Sequence, residues 1–287
     1  MRLLALSVML AAFSACGGDD PAAPSDAASD APDDVVDAPV DAGPADAAPD
    51  AVLYASTATA LYRFDPQTYD LAKVADFACD GVGVLNLAED GNEQLFATTT
   101  ESLVRVDKVT AKCTPIAKGQ FPRALGFVPA GVLDPLEDVL VGYNGEQYLR
   151  VDVKTGQTTF VGALNPSDAG GSYTPSGDLV AIAGGKTYLT ALGDPNTGDL
   201  LLEVDPVRGH ANKRLGTTGR FGLVGVAAWA GVVFAFSSDG RVYRLGKTGL
   251  ATQLFPAISD AGGDASADAS AGLSFTGAAV TTRAPAQ

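Results

Sequence analysis

Only a few residues in this chain of 287 could carry chemistry. It holds three cysteines and one histidine. His210 follows a glycine turn, where a solvated hairpin residue is the expected role. A histidine base needs an orienting partner in a cleft, and no G-x-S-x-G supplies a nucleophile, so Ser-His-Asp machinery has no support. Cys79 and Cys113 invite a disulfide if the chain is exported, with two free thiols as the alternative; a two-cysteine metal site would lack a nearby histidine. Asp194-Pro195-Asn196-Thr197-Gly198-Asp199 offers side-chain oxygens at spacings a calcium loop uses. Asp194, Asn196 and Asp199 are therefore candidate calcium ligands, although no Glu follows at the twelfth position and the same residues read as a plain turn between strands. No other cofactor is indicated. Arg63, Arg105, Arg150 and Arg244 recur at one repeat position, with Glu203 breaking the series. They read as an anion-binding ring or, more simply, as partners of the Asp two residues on or of a neighbouring sheet.

The elements that must position these residues come from a repeat. Leu61-Tyr62-Arg63-Phe64-Asp65-Pro66-Gln67-Thr68 returns as Leu103-Val104-Arg105-Val106-Asp107-Lys108-Val109-Thr110. It returns again at Tyr148–Gly156, Leu201–Gly209 and Val242–Gly249. Alternation marks a strand, and Asp-x-x-Thr or Asp-x-Lys-Thr-Gly marks the tight turn that ends it. The turn positions 65, 107, 152, 205 and 246 are spaced 42, 45, 53 and 41 residues apart. A period of this length with several strands per unit signals a β-propeller, and no unit carries a helical stripe. Four strands are expected per unit, named A to D outward from the axis. The inner strands are placed at Gly83–Ala88, Ala124–Val128, Leu179–Ala183 and Leu223–Trp229.

The first unit, from Val52 to Val74, has no inner strand. The C-terminus supplies a spare one: Ser274-Phe275-Thr276-Gly277-Ala278-Ala279-Val280 is similar to Leu223-Val224-Gly225-Val226-Ala227-Ala228-Trp229. Pairing the two ends closes the ring without an open edge. Over residues 51–287 the domain resembles the broad NHL/YVTN-like propeller group. The repeat count makes this an all-β, five-bladed propeller, or six blades if one unit has been overlooked. Tyr54, Phe96, Tyr143, Trp229, Phe234 and Phe236 are expected between blades. Two stretches break the period, Asn165–Ser176 and Ser259–Ala271. Both precede an inner strand, so both belong to the same face, where propeller loops carry binding.

The N-terminus is a processing signal. Arg2 precedes an apolar run, Leu3–Ala12, too short to span a bilayer. Phe13-Ser14-Ala15-Cys16 resembles the lipobox of bacterial lipoproteins, with Phe13 in place of the usual Leu. The resemblance implies cleavage after residues 1–15 and lipidation of Cys16, leaving a domain held at a membrane of the cell envelope, the outer membrane or cell surface in preference to the free periplasm. An ordinary secretory peptide is the alternative. Residues 16–50 follow as an Ala/Asp/Pro-rich tether with ten aspartates and no basic residue, a composition that cannot repay the entropy of ordering. The tether carries much of the formal charge of −15 and leaves about −6 on residues 51–287. That balance argues against nucleic acid, whose partners need a basic face, and against an electrostatic grip on anionic lipid.

Two functions compete. One is a non-catalytic binding or scaffold module whose protein, glycan or small-molecule partner sits at the loops of one rim; a purely structural envelope protein would differ only in lacking a pocket. The other is a hydrolase-, lactonase- or dehydrogenase-like propeller enzyme with a metal or paired carboxylates in the central channel, for which Asp80, Glu89 and Asp178 are the acidic candidates. The small Gly/Ala/Val character of the inner strands weighs toward binding. Two acidic side chains within about 10 Å at the funnel mouth would weigh toward the enzyme.

Overall fold

The computed structural model describes residues 52–166, 172–254, 258–259 and 272–286. The processing signal, Cys16, the tether, residues 167–171 of the first period-breaking stretch and residues 260–271 of the second lie outside the described residues.

Five antiparallel sheets surround one axis. Blade one holds β1 (Leu53–Thr57), β2 (Ala60–Phe64) and β3 (Leu71–Asp76). Blade two holds β4 (Val84–Glu89), β5 (Leu95–Thr99), β6 (Ser102–Val106) and β7 (Cys113–Lys118). Blade three holds β8 (Ala124–Val128), β9 (Val139–Asn144), β10 (Gln147–Val151) and β11 (Thr158–Ala163). Blade four holds β12 (Pro175–Ala181), β13 (Thr187–Ala191), β14 (Leu200–Val204) and β15 (Ala211–Thr217). Blade five holds β16 (Leu223–Trp229), β17 (Val232–Ser237), β18 (Val242–Leu245) and β19 (Ala251–Leu254). Two pieces then return to blade one, β20 (Ile258–Ser259) and β21 (Phe275–Ala279).

The C-terminal β21 pairs antiparallel with β1, placing Ala278 opposite Ala55, and so supplies the inner strand that blade one lacks. At the opposite edge of that blade, β20 pairs in parallel with the start of β3. The chain therefore grips its first blade from both sides, and the count is five blades.

Each strand's place explains its pattern. Inner and second strands are buried on both faces, as in β8 and β5, so they read as continuous small apolar runs. Third strands alternate, exposing only the repeat arginine in β2 and β6. Near the axis there is room for little more than backbone. A Cβ on Gly126 would stand 2.2 Å from the Leu179 carbonyl oxygen of the next inner strand, which only glycine accommodates.

The turn chemistry repeats with the blades. Asp65, Asp107, Asp152 and Asp205 each accept hydrogen bonds from the backbone N–H groups two and three residues on. This corrects the simple pairing of each arginine with the Asp two residues on. Those carboxylates are turned onto their own backbone, Arg150 reaches Asp134 at 3.8 Å, and Glu203 takes Lys186 at 2.6 Å. A second correction concerns β12, which opens at Pro175 and not at Leu179. Its first turn of strand buries polar Asp178, which an apolar run cannot reveal.

Neighbouring blades meet at their rims where the end of an outer strand reaches the next blade's outer turn. Ala211 N–H donates to Leu164 O, and Ala251 N–H donates to Thr218 O. Between blades one and two, Ala78 N–H donates to Ala111 O and Cys113 N–H to Ala78 O. Cys79 and Cys113 are disulfide-bonded across this joint, with Cα atoms 4.9 Å apart.

Candidate functional site

Faces are named here by the inner strands, which begin at the upper face and end at the lower one. At the upper face their first residues surround a funnel of about 480 Å³. Blade two contributes Asn86, blade three Arg123 and Asn144, blade four Pro175–Gly177, blade five Ser238, and the closing strand Ser274 and Thr276. The described end of the first period-breaking stretch reaches this mouth at Pro175 and Ser176, where β12 begins. Asn165 clamps the base of the first stretch by exchanging two hydrogen bonds of 2.8 Å with the backbone of Tyr173.

The funnel wall mixes apolar side chains such as Leu85, Val224 and Phe275 with fixed polar groups. Asn86 Nδ2 donates to the Arg123 carbonyl, and Asn86 Oδ1 accepts the Leu87 N–H at 2.7 Å. The amide thus fixes the neck between blades two and three, while the exposed Arg123 side chain makes no ion pair with any described residue. Among the described residues no Asp or Glu lines this funnel.

Below the mouth the axis is closed. Asp178 is fully buried, and its Oδ2 accepts the Ala278 N–H of the closing strand at 2.8 Å. Burial pushes its carboxyl well above the usual range, against the pull of the Ala278 amide, the Asn86 side chain and the Leu125 amide. One side chain from blade four therefore touches groups of blades one, two and three at the axis. Its place is that of a latch, away from solvent.

The other candidates disperse. Asp80 is exposed in the connection from blade one to blade two. Glu89 ends β4 at the lower face, where Lys108 holds it at 2.8 Å. Asp194 caps its own turn through the Asn196 N–H at 2.7 Å, while Asp199 points inward to accept the Leu223 N–H at 2.9 Å. Burial raises the Asp199 pKa. Among the described residues no group of three or more His, Cys, Asp or Glu is placed to hold a metal ion. His210 is half-buried, and its carbonyl closes the turn by accepting the Asp205 N–H at 2.8 Å. Asn86 and Arg123 were not distinguishable in the sequence. The available signal was position alone: polar residues at the start of two small-residue inner strands.

No protein-family model matches the chain, and no curated protein matches it. Many solved structures do. A chain from the crystal structure of a nidogen/laminin complex is 12% identical, with 79% of this chain and 97% of that chain covered and a TM-score of 0.47. The calcium-binding protein regucalcin from Agrobacterium tumefaciens is 16% identical, with 66% and 65% covered and a TM-score of 0.39. An auxiliary nutrient binding protein from Bacteroides thetaiotaomicron is 16% identical, with 71% and 54% covered and a TM-score of 0.41. At these identities and scores the likenesses concern fold alone and assign no role to any residue here.

Proposed function

We propose that this chain is a non-catalytic binding module, and that its ligand site is the funnel at the upper face. One observation carries the reading: an open funnel of mixed lining, in which hydroxyl and amide groups accompany a single unpaired cation, Arg123, with no carboxylate among its described lining residues. Such a lining can orient a small polar ligand through hydrogen bonds and one charge. Acid–base hydrolysis between paired carboxylates has no support from these residues. The lipobox-like segment and acidic tether fit the same reading, since they would hold the propeller at the cell envelope by an acylated Cys16 while leaving the funnel free to meet solutes.

The test is native mass spectrometry of the full chain incubated with libraries of small polar metabolites and oligosaccharides. Ser238 is exposed at the funnel mouth, so Ser238→Trp blocks it without disturbing the core. The expected result is an adduct on the wild type that is lost in Ser238→Trp and weakened at least tenfold in Arg123→Ala. An adduct indifferent to both substitutions, or a library member converted to product, would overturn the proposal.

A further inference from the structure

The lower face holds a second built cavity, far from the funnel in both strand end and composition. It is a groove of about 530 Å³ at the seam of blades one and two. Apolar walls come from Val52, Val74 and Val109. The charged groups come from four separate elements: Arg63 on β2, Lys73 on β3, Glu89 at the end of β4, and Lys108 in the turn after β6. Tyr54 of β1 and Glu93 complete the ring.

Glu89 is only 3% exposed. Its Oε1 accepts a hydrogen bond from Lys108 Nζ at 2.8 Å, while its buried Oε2 has no partner. Lys108 is also held by Glu93 at 3.5 Å, and its ammonium lies 5.4 Å from the centre of the Tyr54 ring. Arg63 forms no ion pair with any described residue, and Lys73 is paired with Asp76 at 2.8 Å. A buried carboxylate oxygen without a partner is costly, and the groove around it is rich in cations.

We propose that this groove is a binding site for a small carboxylate-bearing anion, with Glu89 entering the complex as a neutral acid. The proton on Glu89 stays enclosed, because Oε2 is buried from solvent and the ligand does not reach it. The same proton cancels the charge that occupies Lys108, which then faces the ligand together with Arg63. Burial raises the Glu89 pKa to about 7, outweighing the opposing hydrogen bond and charge of Lys108 and reinforced by the charges of Glu93 and Asp90. The neutral form is thus well populated near neutral pH, as in other sites where burial keeps a carboxylic acid uncharged. One proton is taken up for each anion bound above this pKa.

The experiment uses calorimetric titration of the full chain with L-malate at pH 6 and pH 8. With binding confined to the neutral form, the competent fraction falls from about 0.9 to about 0.09 between those values, so affinity should weaken roughly tenfold. Proton uptake is read from the dependence of the heat on buffer ionisation enthalpy. Glu89→Gln keeps the shape without the charge, and should bind equally at both pH values with the wild-type affinity of pH 6. Lys108→Met and Arg63→Met should each weaken binding at least tenfold, while Arg123→Ala should leave the pH dependence intact. No binding at millimolar malate, a flat pH profile in the wild type, a wild-type profile in Glu89→Gln, or unchanged binding in Lys108→Met would each overturn the proposal. Loss of the pH-dependent signal in Arg123→Ala would assign it to the funnel and equally overturn it.

Discussion

Replacing Asp178 by alanine should loosen the ring at its axis. The carboxyl is fully buried and is the acceptor for the Ala278 N–H of the strand that closes blade one. Its removal orphans that amide, which costs about 1–3 kcal/mol. The vacated space adds about 1 kcal/mol for a cavity of a few tens of Å³. At or below about pH 4, where the carboxyl is protonated folded or unfolded, a loss of about 2–4 kcal/mol is therefore expected for Asp178→Ala. Asp178→Asn keeps the acceptor and the volume and should cost less than about 1 kcal/mol. The pH dependence follows from the raised carboxyl. Because the folded pKa lies above the unfolded one, the group's stabilisation is full below the unfolded value near 4 and is lost as pH rises through the folded pKa. The wild type should thus lose stability relative to Asp178→Asn above about pH 4, at up to about 1.4 kcal/mol per pH unit. Urea unfolding of the full chain, followed by the single tryptophan Trp229 in β16, measures all three proteins. Refutation would be an alanine variant within about 0.5 kcal/mol of wild type at pH 4, or an asparagine variant as damaged as the alanine one.

Two further outcomes are expected. Reducing the Cys79–Cys113 bond, which spans 34 residues, should lower stability by about 3–4 kcal/mol in the loop-entropy account, read as a shifted urea midpoint with and without reductant. Gly209→Ala should cost more than about 3 kcal/mol, because its φ is +73° and a Cβ would stand 2.3 Å from the Tyr148 ring; Gly184→Ala, with φ +70° and open space, should cost only about 1 kcal/mol. Thermal denaturation of the two variants side by side separates steric clash from backbone strain.

The repeat made the architecture legible because every blade reuses one hairpin. Its alternation and its Asp turn are local signals, and the spare strand at Ser274–Val280 showed where the ends meet. The rims were not legible. Nothing local says that the end of one outer strand reaches the next blade's turn, which is why Cys79 and Cys113 could have fallen on opposite rims. The arginine series looked like paired charges because sequence proximity suggests pairing. Each Asp was already committed to two backbone N–H groups, a nearer and better aligned set of donors. The funnel mouth was anticipated, but its residues escaped notice for a different reason. Its lining is assembled from single residues of five blades, and Arg123, Ser238 and Thr276 carry no motif among them. Glu89 was visible as a strand-end carboxylate, but its tie to Lys108 depends on the folding of blade two.

The most direct measurement is a crystal structure of the full chain with the ligand that the mass-spectrometric screen returns. The account expects unreacted ligand in the upper funnel, with Arg123 and the hydroxyls of Ser238 and Thr276 in hydrogen-bond contact. Ligand bound only at the lower face, or density for a cleaved or oxidised product in the funnel, would contradict it.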